Sequence, residues 1–148
     1  EYSIKFPVAE LKGPYNFSFS GLKTAVLRYI QKNFSDINFI STVDVNNIAA
    51  SFQQAVIKAL IQKTEKALKN FEVKSISLVG GVAANNPLRE EMIKLSKKYN
   101  KKIIIPKIEF CGDNAAMIAF RGQKIYESGK KYGLHYSPYP SLPEMYFS

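Results

Sequence analysis

The chain has 148 residues, with 21 Lys or Arg against 12 Asp or Glu, a net charge of +9, one histidine and one cysteine. That length supports one sizeable core, so residues 1–148 are expected to form a single domain, and no apolar run approaches the roughly 20 residues that span a bilayer. A lone cysteine, Cys111, excludes an internal disulfide framework and fits a reducing compartment; with no secretory signal or membrane segment, the expected location is the cytoplasm.

The positive excess favours encounter with a polyanion such as nucleic acid, although lysine is equally the solubilising residue of helix surfaces. The chain starts at Glu1 without an initiator methionine, and is expected to be a piece of something longer.

Residues 1–20, with Pro7, Gly13 and Pro14, read as an irregular lead-in that ends at Ser20, an expected N-cap. Leu22, Ala25, Val26, Tyr29 and Ile30 then recur at helical spacing up to about Lys32. After a polar loop from Asn33 to Val43, Asp44 is the expected cap of the longest helix. Its apolar face is traced by Ile48, Phe52, Ala55, Val56, Ala59, Leu60, Ala67 and Leu68, and it ends near Asn70.

Ser75 to Val79 is short, β-compatible and bounded by Gly80-Gly81, so a strand is predicted. Asn86-Pro87 then supplies an N-cap with proline at the first helical position, and Leu88, Met92, Leu95 and Tyr99 mark the buried side of the next helix. Lys94, Lys97, Lys98, Lys101 and Lys102 gather at its end, where they complement the macrodipole.

Ile103 to Ile105 is predicted as a second strand, apolar throughout as if covered on both faces and ended by Pro106. Asp113 or Asn114 caps a last helix that ends at Gly129, with small residues that allow close packing on the sheet. Residues 132–148, with Pro138, Pro140 and Pro143 among aromatics, should be extended.

Strand, helix, strand, helix implies an α/β fold: helix-rich, with a small parallel sheet and a right-handed crossover. Two strands make a thin sheet, so part of the fold is expected outside this sequence. Ligands of such sheets bind beyond the carboxyl ends of the strands, where Gly80-Gly81 and Asp113 both fall.

Gly80-Gly81 lets backbone amides approach a ligand such as a phosphate, or it is simply a tight turn needing positive φ. Asn85 offers donor and acceptor groups from one amide, or serves as a turn or cap. Asp113 is a candidate metal ligand, general base or helix cap. His135 is the only histidine, so any metal at Asp113 needs ligands from elsewhere. Cys111 lacks an adjacent base and reads as a packing residue. Lys23 is a candidate phosphate contact. No residue is assigned as a catalytic acid or base.

Three ordered motifs closely resemble the TsaD family: Phe17-Ser18-Phe19-Ser20-Gly21-Leu22-Lys23-Thr24-Ala25, Gly80-Gly81-Val82-Ala83-Ala84-Asn85 with Leu88-Arg89, and Cys111-Gly112-Asp113-Asn114-Ala115-Ala116-Met117-Ile118-Ala119. The resemblance runs from about Phe6 to Gly129 and matches only the C-terminal half of such a protein. It implies the second lobe of an actin/Hsp70/sugar-kinase-like (ASKHA) fold with the active site between two lobes.

The implied activity is transfer of threonylcarbamoyl from threonylcarbamoyl-adenylate to N6 of the adenosine 3′ of the anticodon, giving t6A in tRNAs reading ANN codons. By motif position, Asp113 resembles the lobe's ligand to a catalytic iron or zinc ion, and Asn85 a contact to the adenylate. Gly80 and Gly81 fall where backbone meets its phosphate. The implied partners are the tRNA anticodon loop and, in bacteria, TsaB- and TsaE-like proteins, with no membrane.

Two departures stand out. The family's His-x-x-x-His pair is absent, and Gly112 occupies a position where threonine or serine is common. A lone Asp should not hold a divalent ion tightly, so the isolated chain is expected to be inactive and to bind metal weakly or not at all. The competing readings are a docking module for protein or RNA, and a metalloprotease, the glycoprotease label once given to the family.

Overall fold

A computed structural model describes residues 4–8 and 13–133 of the chain. Its contacts divide into two units, Glu1–Gly112 and Asp113–Ser148, each described by itself. The first holds α1 (Ser20–Asn33), α2 (Thr42–Asn70), β1 (Ser75–Ser77), α3 (Asn86–Lys98) and β2 (Lys102–Ile104); α4 (Ala115–Glu127) belongs to the second. The fold is helix-rich α/β, and β1 and β2 pair in parallel with Ser75 opposite Lys102 and Ser77 opposite Ile104.

Residues 4–8 and 13–19 carry no helix or strand, as expected of a lead-in, yet they are tied down. The Phe6 ring meets Tyr29 edge-on at 5.7 Å, the Ile4 amide donates to Ser51 Oγ at 3.3 Å, and Asn70 donates to the Tyr15 hydroxyl at 2.9 Å.

Three caps shift from their expected residues. Phe19, not Ser20, stands at the start of α1; its carbonyl already accepts from Lys23 N–H at 2.9 Å, which draws Ser20 into the helix. Ser41 rather than Asp44 caps α2. Its hydroxyl accepts from Asp44 N–H at 3.1 Å and donates to the Asp44 carboxylate at 2.7 Å, so Asp44 is the cap's partner three residues on. Asn85, not Asn86, caps α3, with Pro87 as the second helical residue.

β1 stops at Ser77 although the Leu78 N–H still donates to the Ile104 carbonyl at 3.0 Å. β2 starts and ends one residue early, and it is not covered on both faces, because Ile104 is 49% exposed.

The core of the first unit gathers Leu78, Ala83, Leu88, Met92, Leu95 and Cys111, flanked by Ile57, Leu60, Ile61 and Leu68 of α2. On α2 the buried positions are Ile48, Ser51, Ala55 and Ala59, while Phe52, expected on the same face, is partly open. In the second unit α4 has no buried residue, and Met117, Ile118 and Phe120 are exposed. It stops at Glu127, with Gly129 in the left-handed region at φ 71°, as a helix stop requires. Most of the expected extended tail, residues 134–148 including His135, lies outside the described residues. Among the described residues no helix is long and apolar enough to cross a membrane.

Candidate functional site

The turn that follows β1 begins at Gly80, whose φ of 88° and ψ of 174° exclude L side chains. From there the chain winds into a short 3-10 turn, Gly81–Ala84, whose first hydrogen bond runs from Ala83 N–H to the Gly80 carbonyl at 2.9 Å. The amides of Gly81 and Val82 precede that bond and have no partner within the turn. The two glycines differ in an informative way. Gly80 is required by its dihedral, whereas Gly81 has no positive φ, and a Cβ added there meets nothing within 4 Å.

Asn85 closes the turn and opens α3. Its Oδ1 accepts from Leu88 N–H at 2.9 Å, and its Nδ2 donates to Gln53 Oε1 of α2 at 2.9 Å. The capping alternative for this residue is therefore realised. The amide keeps one N–H and one acceptor lone pair in reserve. It lines a cleft of about 270 Å³ between α2 and the turn, shared with Phe52, Gln53, Val82 and Leu88.

Arg89 stands in the second motif, but sequence reasoning assigned it no role. Its Nε donates to the Ala83 carbonyl at 2.5 Å, and one Nη donates to the Pro106 carbonyl at 2.7 Å and to Cys111 Sγ at 3.2 Å. One guanidinium thus ties the glycine turn to the segment that leaves β2, using the planar fork that distinguishes Arg from Lys. A signal did exist. Arg89 sits in the opening turns of α3, where the macrodipole disfavours a cation unless it has specific acceptors. Cys111 is 3% exposed and packs in the core, as expected, with its thiol 3.5 Å from the Lys107 carbonyl.

Asp113 opens the second unit and is exposed. It does not cap α4; Asn114 does, accepting from Met117 N–H at 2.9 Å. Gly80, Gly81 and Asn85 thus share one turn of the first unit, while Asp113 stands in the other. Among the described residues no group of three or more His, Cys, Asp or Glu is assembled that could hold a metal. Asp113 alone supplies one oxygen ligand and does not constitute a metal site.

Lys23 lines a different cleft, of about 770 Å³ between α1 and α2, with Phe19, Val26, Ile30, Val45 and Phe52. Apart from Ser20 and Lys23 that lining is apolar, and it contains none of the turn residues, so the cleft is larger but chemically less equipped than the one at Asn85.

The sequence profile of a family described as TsaD: tRNA N6-adenosine threonylcarbamoyltransferase matches residues 1–120. Proteins named tRNA N6-adenosine threonylcarbamoyltransferase are similar to the chain. That of Carboxydothermus hydrogenoformans is 51% identical over 93% of this chain and 40% of its own length. The one from Thermosipho africanus is 51% identical over 87% of this chain and 37% of its own. A third, from Fervidobacterium nodosum, is 42% identical over 97% and 42%. The chain therefore spans about 40% of the length of the curated relatives it matches. With the profile matched across 120 of 148 residues, the chain belongs to the TsaD family.

Proposed function

We propose that the chain is part of a tRNA-modifying acyltransferase, the second lobe of an ASKHA-type enzyme. The whole protein moves threonylcarbamoyl from threonylcarbamoyl-adenylate to N6 of the adenosine 3′ of the anticodon. The observation that carries this reading is the family membership of a chain whose glycine turn leaves bare backbone at the carboxyl end of a parallel strand. Residues 1–148 act as one lobe, on a protein working in the cytoplasm with TsaB- and TsaE-like partners.

In this reading the amides of Gly81 and Val82, which have no partner within the turn, face the phosphate of the adenylate. The remaining N–H of Asn85 donates to the same substrate. Arg89 holds the turn in place through Ala83, so that the acyl carbon is fixed for attack by the adenine amine. AMP departs as the amine takes the carbamoyl carbon. An adenine in a single-stranded loop is presented without opening a duplex.

Asp113 contributes one ligand to a divalent ion, iron or zinc, whose other ligands come from histidines outside this chain. The described residues do not complete the site of that ion. The isolated chain is inactive and does not retain the metal.

The test is transfer of labelled threonylcarbamoyl to tRNA by the full-length parent. Asp113→Ala should abolish it. Asn85→Asp keeps the cap acceptor but loses the amide donor, and should lower transfer about tenfold, in keeping with one substrate hydrogen bond of 1–1.5 kcal/mol. Full activity in both variants would sink the assignment.

A further inference from the structure

The edge of the first unit opposite the glycine turn concentrates the positive charge of the chain. α2 leads into β1 and α3 into β2, and the strands are parallel, so both helix ends and both strand starts meet at one edge. Residues 65–74 and 91–102, which build it, contain eight lysines and three glutamates, five of the chain's nine net positive charges. Lys102 pairs with Ser75 in the sheet register, which brings Lys74 beside the Lys101-Lys102 step. Lys98 crosses from α3 to the Glu65 carboxylate on α2 at 2.7 Å, and Lys69 acts on the same carboxylate.

Helix ends account for only part of this charge. Lys69, Lys97 and Lys98 occupy the last turns of α2 and α3, where cations offset the macrodipoles. Lys74, Lys101 and Lys102 come after the caps Phe71 and Tyr99. Among the described residues Lys66, Lys74, Lys97, Lys101 and Lys102 form no ion pair with a carboxylate. Every cation of the two stretches is lysine and none is arginine. Flexible point charges of this kind suit phosphodiester oxygens, which position an RNA without reading its bases.

We propose that this lysine edge is a docking surface for the phosphate backbone of a structured RNA, gripping it away from the nucleotide that reacts. The inference rests on the transferase reading for the identity of the RNA, but not for the surface itself.

The experiment measures binding of an unmodified tRNA transcript reading ANN codons to the full-length parent across a salt series. The variant is K74Q/K97Q/K102Q, and K5Q/K32Q/K58Q is a control of equal charge change. The edge variant should bind about tenfold or more weakly at ~0.1 M salt and lose about 2–3 units of the log–log salt slope, near one per phosphate contact. Its Tm and its kcat at saturating tRNA should match wild type while KM rises.

Affinity and slope equal to those of the control overturn the proposal. So does a fall in Tm with affinity intact, which reassigns the lysines to helix-end compensation, or edge-dependent binding to phosphatidylserine vesicles without RNA binding. A parent that binds the transcript through this edge but transfers no threonylcarbamoyl defeats the transferase reading and leaves the surface standing.

Discussion

α3 and α4 are built to the same local specification and meet opposite fates. Each has 13 residues, and each is capped by an asparagine whose Oδ1 accepts an N–H three residues on at 2.9 Å. α3 buries Leu88, Met92, Leu95 and Ser96, whereas α4 buries nothing. Capping and propensity start a helix, but stability comes from the surface it covers. The apolar residues Leu88, Met92 and Leu95 of α3 are core, whereas Met117, Ile118 and Phe120 of α4 are exposed.

Core truncation should break the comparison most sharply. Leu88→Ala removes a 1%-exposed side chain and should cost about 2–5 kcal/mol in urea unfolding. Ile118→Ala on α4, at 66% exposure, should stay within about 0.5 kcal/mol. Equal losses at the two positions would mean that α4 is packed in solution.

Arg89 comes next. Arg89→Met strands the partly buried carbonyls of Ala83 and Pro106 and should cost about 1–3 kcal/mol, with Arg89→Lys failing to restore it for want of the fork. A full rescue by lysine would show that charge alone matters there.

The two caps should then sharpen the likeness: Asn85→Ala and Asn114→Ala each remove one cap bond worth about 1 kcal/mol. Only the first should lower the global stability; the second should show as faster amide exchange confined to α4. Equal global effects would contradict the contrast.

Smallest is a pH effect at the contact between α2 and α3. The hydrogen bond from Lys98, then that from Tyr99, holds the Glu65 carboxyl below its ordinary value of 4.5, so this link between α2 and α3 is fully present above that value and is lost as pH falls through the lowered one. Lys98, held above its ordinary 10.5 chiefly by its hydrogen bond to Glu65, contributes fully below that value and loses its contribution as pH rises through the raised one. Glu65→Gln should flatten the acid limb of an unfolding profile, and an unchanged limb would assign it to other carboxylates.

Much of this was legible in the residues. Helical spacing marked α1 to α4, and Gly80-Gly81 marked the turn after β1, because apolar periodicity and positive φ are local properties, although the strand stops at Ser77 rather than Val79. The caps slipped by one to three residues because serine, asparagine and aspartate neighbours compete for one cap, and only backbone geometry selects between Asn85 and Asn86 or Ser41 and Asp44. Exposure of Ile104 and Phe52 was hidden for another reason: periodicity tells which residues share a face but not whether anything lies against it. At the candidate site, Gly80, Gly81 and Asn85 share one turn, as their nearness in the sequence implies, while Asp113, expected at the same edge, opens the second unit. Sequence reasoning missed the roles of Gln53 and Arg89, whose partners lie 32 residues and up to 22 residues away.

The glycine pair carries one consequence for how such a turn persists over generations. Under selection for folding alone, position 80 should remain glycine while position 81 drifts freely, since no atom of the described residues would be crowded by a side chain there. A lineage that keeps both glycines is answering to a visitor at position 81, whose arrival the bare backbone admits.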